Sequence, residues 1–307
     1  MIDLHYDLLS ILYQCYLRMD FSYVDKIRNS FRDNNVSGVI ANLYFYSEDE
    51  MRAELGDNYG EIDVVEMFRI STKLFKEYFP NTDVIFSIEG CDYIKDTDEL
   101  EELYNLGLRN ILLVWNNPNK YGSGFKGDYG LTDEGREFIK KAIELGICID
   151  FSHMNKNTFY DTYELIKSEK KLGHEVKVIA SHSNSYKVCP NVRNLDDDQL
   201  KCLKELDAIV GVVSYSKFVL SANASNEELR SKYLEHIDYI CSIMGKYNVG
   251  LSTDDMNFCE ELYNITYGPN IFNYENIKDE ITELMKDNYK ENEIENIMYN
   301  NIYNKLF

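Results

Sequence analysis

The chain has 307 residues, 44% of them hydrophobic, which is enough to bury a large core in one domain. Its formal net charge of −21, from 32 basic and 53 acidic residues, argues against nucleic acid or an anionic membrane as a partner, because both require clustered Lys and Arg. The sequence shows no secretory signal pattern and no apolar run near the roughly 20 residues that span a bilayer, so we expect a cytoplasmic protein.

Short apolar runs alternate with longer amphipathic segments along the chain, a pattern typical of βα units. Eight runs predict strands at residues 2–5, 36–45, 83–90, 110–115, 148–153, 176–183, 208–215 and 249–255. Helical periodicity predicts helices between them, for example at 61–79, 131–146 and 227–247, and a closing helix at 291–307. Eight units without a Pro/Gly/Ser-rich linker favour one domain over residues 1–307, folded as a (β/α)8 TIM barrel.

A doubly wound open sheet is the alternative to the barrel, and the position of the polar residues distinguishes the two. A doubly wound fold more often has a glycine-rich phosphate loop after strand 1, which this sequence lacks. Barrel enzymes instead carry their functional groups at the ends of several strands. Such groups follow strands 1, 3, 5, 6 and 8 here: His5, Asp7, Glu89, His153, His182 and Asp254.

The seven cysteines indicate reduced thiols. They are odd in number, scattered, and never spaced as C-x-x-C, which argues against a disulfide framework or a zinc ribbon. We expect most to be small core residues: Cys15, Cys91, Cys148, Cys189, Cys202, Cys241 and Cys259.

Three of the five histidines lie at predicted strand ends, whereas His174 and His236 lie in a loop and on a helix. One strand-end histidine alone is more often a hydrogen-bonded structural residue than a ligand. Three of them with two carboxylates at one barrel mouth cost several kcal/mol to bury unless a metal compensates. The donor types suit Zn²⁺, and also Mn²⁺, Co²⁺ or Fe²⁺. Five ligands exceed one tetrahedral site with a water, but they suffice for two ions that share a carboxylate and a bridging hydroxide.

Several stretches resemble the membrane (renal) dipeptidase family of amidohydrolase-type barrels. They are "DLHYDLL", "FSIEG", "GLTDEGREFIKKAIELGICIDFSHMN", "VIASHSNSYKVCPNVRNLDDDQL" and "VGLSTDD", in family order from residue 2 to residue 255. The resemblance implies two zinc ions and a dipeptide substrate. It further implies the roles of the five donors: His5 and Asp7 bind one ion, His153 and His182 the other, and Glu89 bridges them.

The same resemblance implies roles for two further residues. Arg193 matches the arginine that binds the terminal carboxylate of the substrate, a task suited to a guanidinium fork. Asp254 matches the acid/base that takes a proton from the attacking hydroxide and delivers it to the leaving amine. Without the family, an ordinary structural ion pair would be the preferred interpretation of Arg193.

The sequence departs from the family pattern after strands 4 and 8. Better-known members have a histidine that stabilises the oxyanion where this chain has Trp115, followed by Asn116. Asn116 is a candidate donor in its place, and Trp115 either contacts the substrate or only packs the barrel mouth. After strand 8, "DDMN" keeps Asp254 and lacks the second aspartate and glycine of the family's "DFDG", so substrate preference is expected to differ.

The leading hypothesis is therefore a dipeptidase with a hydroxide bridging two zinc ions; whether it accepts a D-residue at the C-terminal position of the dipeptide stays open. One alternative is that the same site cleaves another small amide, such as an N-acyl amino acid or a modified dipeptide. Another is a catalytically silent barrel that acts as a binding subunit. The family also suggests a homodimer.

Overall fold

The computed structural model describes residues 1–45, 63–220, 224–255, 257–258, 271–272, 274 and 276–307. Eight strands form one sheet in which each strand pairs in parallel with the next along the chain. Their bounds are β1 Ile2–Tyr6, β2 Gly38–Tyr44, β3 Asp83–Glu89, β4 Leu108–Leu112, β5 Cys148–Asp150, β6 Val178–Ala180, β7 Ile209–Val213 and β8 Val249–Ser252.

The sheet curls into a barrel in which β8 lies against β1. The Asp254 N–H, just after β8, donates to the carbonyl oxygen of His5 in β1 at 3.1 Å. All residues of β1, β5, β6, β7 and β8 are buried, as expected for parallel strands that are covered on both faces. The (β/α)8 prediction is confirmed, and all eight predicted strands are present.

Helices cover the outside of the sheet. Those of the described residues are α1 Leu8–Arg18, α2 Ser22–Asp33, α3 Val64–Tyr78, α4 Thr97–Leu106, α5 Asp133–Leu145, α6 Lys156–Lys171, α7 Asp197–Glu205, α8 Ser216–Val219, α9 Asn226–Met244, α10 Ile277–Met285, α11 Glu291–Glu295 and α12 Asn301–Leu306. The helices predicted at 61–79, 131–146 and 227–247 correspond to α3, α5 and α9, and residues 61–62 lie outside the described ranges.

Helix α5 illustrates how local sequence sets the boundaries of these helices. The Thr132 side chain accepts a hydrogen bond from the Gly135 N–H and caps the first turn, a contact that stabilises a helix by about 1 kcal/mol. Gly146, with φ +76°, ends the helix in the left-handed conformation that glycine adopts most easily. Apolar residues at helical spacing, Phe138, Ile139, Ala142 and Ile143, are buried and fix the helix to the barrel.

A small apolar core fills the inside of the barrel at the end where the strands begin. It consists of Ile2, Leu4, Ile40, Ile85, Cys148, Ile179, Ile209, Ile302 and Leu306. Two of these residues, Ile302 and Leu306, come from α12, so the last helix closes this end. The predicted closing helix at 291–307 is present, but a π-helical turn at Asn296–Asn300 separates α11 from α12. Polar groups are thereby left to the opposite end of the barrel.

The structure bears on two further expectations. No disulfide joins the six described cysteines, and all of them except Cys202 are buried; Cys259 lies outside the described residues. Among the helices of the described ranges, none combines the length and the apolar character that crossing a bilayer requires.

Candidate metal centre

The predicted site residues gather at the end of the barrel where the strands finish. His5 lies in β1, Asp7 directly follows β1, and Glu89 is the last residue of β3. The other three lie beyond shorter strands than the sequence predicts: His153 three residues after β5, His182 two after β6 and Asp254 two after β8. The chain leaves the sheet before it reaches these groups, which frees their side chains to turn toward the barrel axis.

Two of these positions adopt an unusual backbone conformation. His153 has φ +71° and Asp254 has φ +47°, the left-handed region that side chains other than glycine rarely occupy. Such a conformation costs about 1–3 kcal/mol and persists only where surrounding contacts hold it. At Asp254 the hydrogen bond to His5 is one of these contacts. At the preceding residue, Thr253, the backbone N–H donates to the buried Asp3 carboxylate at 2.9 Å.

The carboxylate of Glu89 lies at the centre of the cluster. Its Oε1 lies 2.9 Å from His153 Nε2 and 3.6 Å from His182 Nε2, and its Oε2 lies 3.2 Å from His5 Nε2. His5 Nε2 is in turn 3.6 Å from Asp7 Oδ1. Oε2 of Glu89 thus faces His5, whereas Oε1 faces His153 and His182, an arrangement that suits a carboxylate shared by two ions.

The ring nitrogens converge closely at the centre of the site. The Nε2 atoms of His153 and His182 are 2.8 Å apart. His5 Nε2 and Asp7 Oδ1 are buried and make no hydrogen bond of suitable geometry with any described residue. Two groups of donors come within metal-binding reach of one another, His5 with Glu89 and His182, and His5 with Asp7 and Asp254. Imidazole and carboxylate donors in this arrangement fit borderline divalent ions such as Zn²⁺.

The electrostatics of the cluster follow from burial and from its mixture of charges. Burial raises the pKa of Asp7 to about 6 and that of Asp254 to about 7, with His5 opposing both. Burial also opposes ionisation of Glu89, yet His5 and His153 together hold its pKa well below the usual range. Burial, with the positive charge of Arg193, lowers the pKa of His153 to about 3. The site therefore contains an ionised Glu89 and a neutral His153 imidazole, the forms in which each binds a cation.

Each of the three histidines in the cluster also has a polar contact at its Nδ1 atom, on the side of the ring away from Glu89. His153 Nδ1 lies 3.0 Å from Asn116 Oδ1, and His182 Nδ1 lies 2.9 Å from Ser181 Oγ. His5 Nδ1 lies 3.3 Å from the same Ser181 hydroxyl and 3.0 Å from the Asn42 amide. These contacts leave every Nε2 atom directed at the centre of the site. Asn42 and Ser181 were not predicted from the sequence, although a polar residue within the apolar run of β2 was a signal for Asn42.

Arg193 lies in the loop between β6 and α7 and reaches into the same site. Its guanidinium Nη2 is 3.1 Å from His182 Nε2, and Cζ lies 5.4 Å from the centre of the Phe218 ring. The side chain is buried, its Nε makes no hydrogen bond, and no carboxylate of the described residues lies within 4.0 Å of its nitrogens. Burial lowers its pKa to about 10, so it is still a cation at neutral pH. A buried cation that no carboxylate of the described residues contacts is suited to receive an anion.

Trp115 and Asn116 follow β4 at one side of the metal centre. The half-buried Trp115 ring lies 5.0 Å from the Tyr44 ring and 6.1 Å from the His153 ring, measured between centroids. Gly124 packs so tightly here that a Cβ atom would lie 1.8 Å from the Trp115 carbonyl oxygen, so only glycine fits. Trp115 and Tyr44 thus form an aromatic wall beside the proposed ligand His153.

The two remaining histidines lie in a loop and on a helix, as the sequence predicts, and have other partners. His174 is partly exposed and pairs with Glu169 at 2.7 Å. His236 in α9 is fully buried, accepts the Ser185 N–H at Nδ1 (3.0 Å) and donates from Nε2 to the Val219 carbonyl (3.0 Å). Both ring nitrogens of His236 are therefore occupied by the backbone, and its role is structural.

The model of the membrane dipeptidase family, peptidase family M19, matches residues 1–304. The chain belongs to the membrane dipeptidase family. An uncharacterized protein in the PQQ-III 3′ region of Acinetobacter calcoaceticus is 32% identical over 167 residues, which are 51% of this chain and 50% of that protein. A dipeptidase of Aspergillus oryzae is 27% identical over 175 residues, 55% of this chain and 39% of that enzyme. The chain thus spans half or less of the length of these two relatives.

Solved structures agree with the family in fold. A metallo peptidase from Rhodobacter sphaeroides, liganded with a phosphinate mimic of the dipeptide L-Ala-D-Ala, superposes with a TM-score of 0.75 at 19% identity, covering 99% of this chain and 97% of that one. The family model thus gives the family of the chain, and the solved structure supports its fold.

Proposed function

We propose that this chain is a dipeptidase that uses two zinc ions, one held by His5 and Asp7 and the other by His153 and His182, with Glu89 shared between them. The observation that carries the proposal is the convergence of three Nε2 atoms on the two oxygens of Glu89, at 2.9, 3.2 and 3.6 Å. Two buried donor atoms that lack hydrogen bonds, His5 Nε2 and Asp7 Oδ1, support it, because a cation satisfies both.

The ions would supply an activated water molecule near neutral pH and polarise the scissile carbonyl. The remaining chemistry falls to side chains of this chain. Asp254 Oδ1 lies 3.9 Å from His5 Nε2, at the edge of the site rather than at its centre. With its pKa raised to about 7 by burial, its carboxylate is matched to accept a proton from the nucleophile and pass it to the leaving amine.

Arg193 is proposed to bind the terminal carboxylate of the dipeptide. The guanidinium is buried beside His182, so a carboxylate bound to it lies close to the reacting carbonyl. A bidentate pair at this position orients the substrate and limits its length, because the chain end must follow the scissile bond directly. Arg193, as the proposed carboxylate-binding cation beside the metal centre, thus supports short peptides as the substrate class.

The aromatic wall of Trp115 and Tyr44 is proposed to contact a substrate side chain, and Asn116 to donate from Nδ2 to the substrate oxygen while its Oδ1 holds His153. The dipeptide mimic bound to the Rhodobacter sphaeroides enzyme ends in a D-residue, which is the reason to test L-D as well as L-L dipeptides here.

The test is release of free amino acids from a panel of L-L and L-D dipeptides by zinc-loaded protein, with N-acyl amino acids in the same panel. Asp254→Asn is the matched control, because it removes the proton acceptor and keeps the shape of the side chain. Hydrolysis of dipeptides that requires zinc and is lost in Asp254→Asn supports the proposal. Turnover of N-acyl amino acids alone would instead assign another amide as substrate, and no turnover by zinc-replete protein would favour a silent barrel.

A further inference from the structure

One buried hydroxyl group lies between two of the proposed ligands. Ser181 Oγ is 2.9 Å from His182 Nδ1 and 3.3 Å from His5 Nδ1, and Ser181 is fully buried. The two imidazole rings approach each other closely, with centroids 3.8 Å apart. In the proposed function, His5 and His182 belong to different ions. A single side chain therefore contacts one ligand of each ion.

The chemistry of the imidazole ring sets the direction of these hydrogen bonds. A neutral histidine that binds a metal through Nε2 carries its proton on Nδ1 and donates it. A hydroxyl oxygen has two acceptor lone pairs and one proton. Ser181 Oγ can consequently accept from both rings at the same time, provided that its own proton is donated elsewhere.

The Asp150 carboxylate is suited to accept that proton. It is fully buried at the end of β5, and its Oδ1 accepts the backbone N–H groups of Ser152 at 2.9 Å and Ser181 at 3.1 Å. The other oxygen of this carboxylate, Oδ2, is buried and makes no hydrogen bond with a described residue, so it retains acceptor capacity beside Ser181. Donation of the Ser181 proton to this carboxylate would complete a chain of hydrogen bonds from Asp150 through Ser181 to the two histidines, with the donor and acceptor roles that metal binding demands.

His5 has a second partner, whereas Ser181 is the described partner of His182 Nδ1. The Asn42 amide lies 3.0 Å from His5 Nδ1, and Asn42 Oδ1 is buried without a hydrogen bond in the present orientation of the amide. Turning the amide by 180° presents Oδ1 to the His5 Nδ1–H, an assignment that hydrogen-bond chemistry rather than atom positions decides. Loss of the Ser181 hydroxyl should therefore affect His182 more than His5.

We propose that Ser181 is a positioning residue that fixes the Nδ1–H form and the ring orientation of His5 and His182 together, so that one hydroxyl couples the two metal sites. The inference rests on the proposed function for the assignment of the ions. It predicts that removal of one oxygen atom, which touches neither ion, weakens the binding of both.

The experiment compares Ser181→Ala with Ser183→Ala. Ser183 is also buried, and its hydroxyl lies 3.4 Å from Ser152 Oγ rather than on a histidine ring, so its variant removes the same atom type two residues away. The two stepwise dissociation constants for Zn²⁺ are measured by competition with a chromophoric chelator. We expect Ser181→Ala to raise one constant about 10–100-fold and the other by a smaller factor, and Ser183→Ala to leave both within about twofold.

A second measurement keeps the inference testable if Ser181→Ala does not fold. Long-range ¹H–¹⁵N NMR spectra of the zinc-loaded wild-type protein report which nitrogen of each ring carries the proton. Both His5 and His182 should show the Nδ1–H form; an Nε2–H signal from either ring would overturn the inference.

Unchanged zinc constants in folded Ser181→Ala would overturn the inference, and a change in only one constant would overturn the coupling of the two sites. Wild-type protein that binds two zinc ions and cleaves no dipeptide would refute the proposed dipeptidase activity and leave the role of Ser181 intact. Wild-type protein that binds no zinc would refute both.

Discussion

Replacement of Arg193 by Met should make the protein more stable and less active at the same time. Burial lowers the pKa of this guanidinium from its ordinary 12.5 to about 10, although Glu89, Asp254 and Asp150 oppose the effect. Such a lowering means that the unfolded chain holds the proton more tightly by about 3 kcal/mol. The buried charge therefore lowers the free energy of unfolding by this amount, and it does so in full at every pH below 10. Met keeps most of the volume of the side chain and removes the charge.

The metal-free Arg193→Met protein should therefore gain up to about 3 kcal/mol in free energy of unfolding, measured by urea denaturation at pH 7 with chelator present. Its kcat/KM for dipeptides should fall about 100-fold or more, because a bound carboxylate loses its charged partner. Dipeptide amides, which lack the terminal carboxylate, serve as the comparison substrate. Their kcat/KM should change by less than tenfold.

The two measurements together distinguish a substrate-binding arginine from a structural one. A structural ion-pair arginine would leave the Arg193→Met variant less stable than the wild type and would reduce turnover of both substrate types equally. That combined result would refute the assignment of Arg193 to the substrate carboxylate. Arg193→Lys is a useful companion variant, because it keeps the charge and loses the bidentate fork.

Three further predictions follow from the same structure. Asp254→Asn should lower kcat by about 10²- to 10⁴-fold with zinc content unchanged by atomic absorption, and an equal loss of zinc would show that Asp254 acts as a ligand instead. Burial lowers the pKa of His236 to about 4, so the neutral imidazole stabilises the fold, and this stability is lost as the pH falls from 6.5 to 4. Between pH 7 and pH 4, the free energy of unfolding measured in urea should fall by about 3 kcal/mol more for the wild type than for His236→Gln. Equal decreases in the two proteins would contradict this role of burial. Gly124→Ala should lower the free energy of unfolding in urea by about 1–3 kcal/mol, because the Cβ atom of the alanine would lie 1.8 Å from the Trp115 carbonyl oxygen. An unchanged free energy of unfolding would show that the backbone around Gly124 can move.

The gathering of the site could be predicted because barrel topology brings strand ends together. Alternation of apolar runs and amphipathic segments is enough to count eight strands, and polar residues at the ends of five runs then mark one mouth. Glu89 illustrates this well, since its position as the last residue of β3 follows from the apolar run before it. The strand pattern alone is therefore enough to predict that these polar residues lie together at one end of the barrel.

Strand ends and hydrogen bonds around the rings could not be predicted in the same way. The apolar runs containing His153 and His182 continue to the histidines, but the chain leaves the sheet after Asp150 and Ala180, and His153 adopts a positive φ. The contact of Ser181 with His5 joins residues 176 positions apart, so it depends on barrel closure rather than on any local pattern. Likewise, the spacing of the apolar residues in the closing helix does not predict the π-helical turn that interrupts it.

The closure of β8 onto β1 has a consequence for biosynthesis. Asp254 and Thr253, just after the last strand of the barrel, bind backbone and side-chain atoms of His5 and Asp3 in the first strand. Contacts between such distant parts of a chain form late in folding, because their loop entropy must be overcome first. A nascent chain that is still emerging from the ribosome therefore lacks this side of the site until β8 has been made. The proposed metal centre should then form only in the finished barrel.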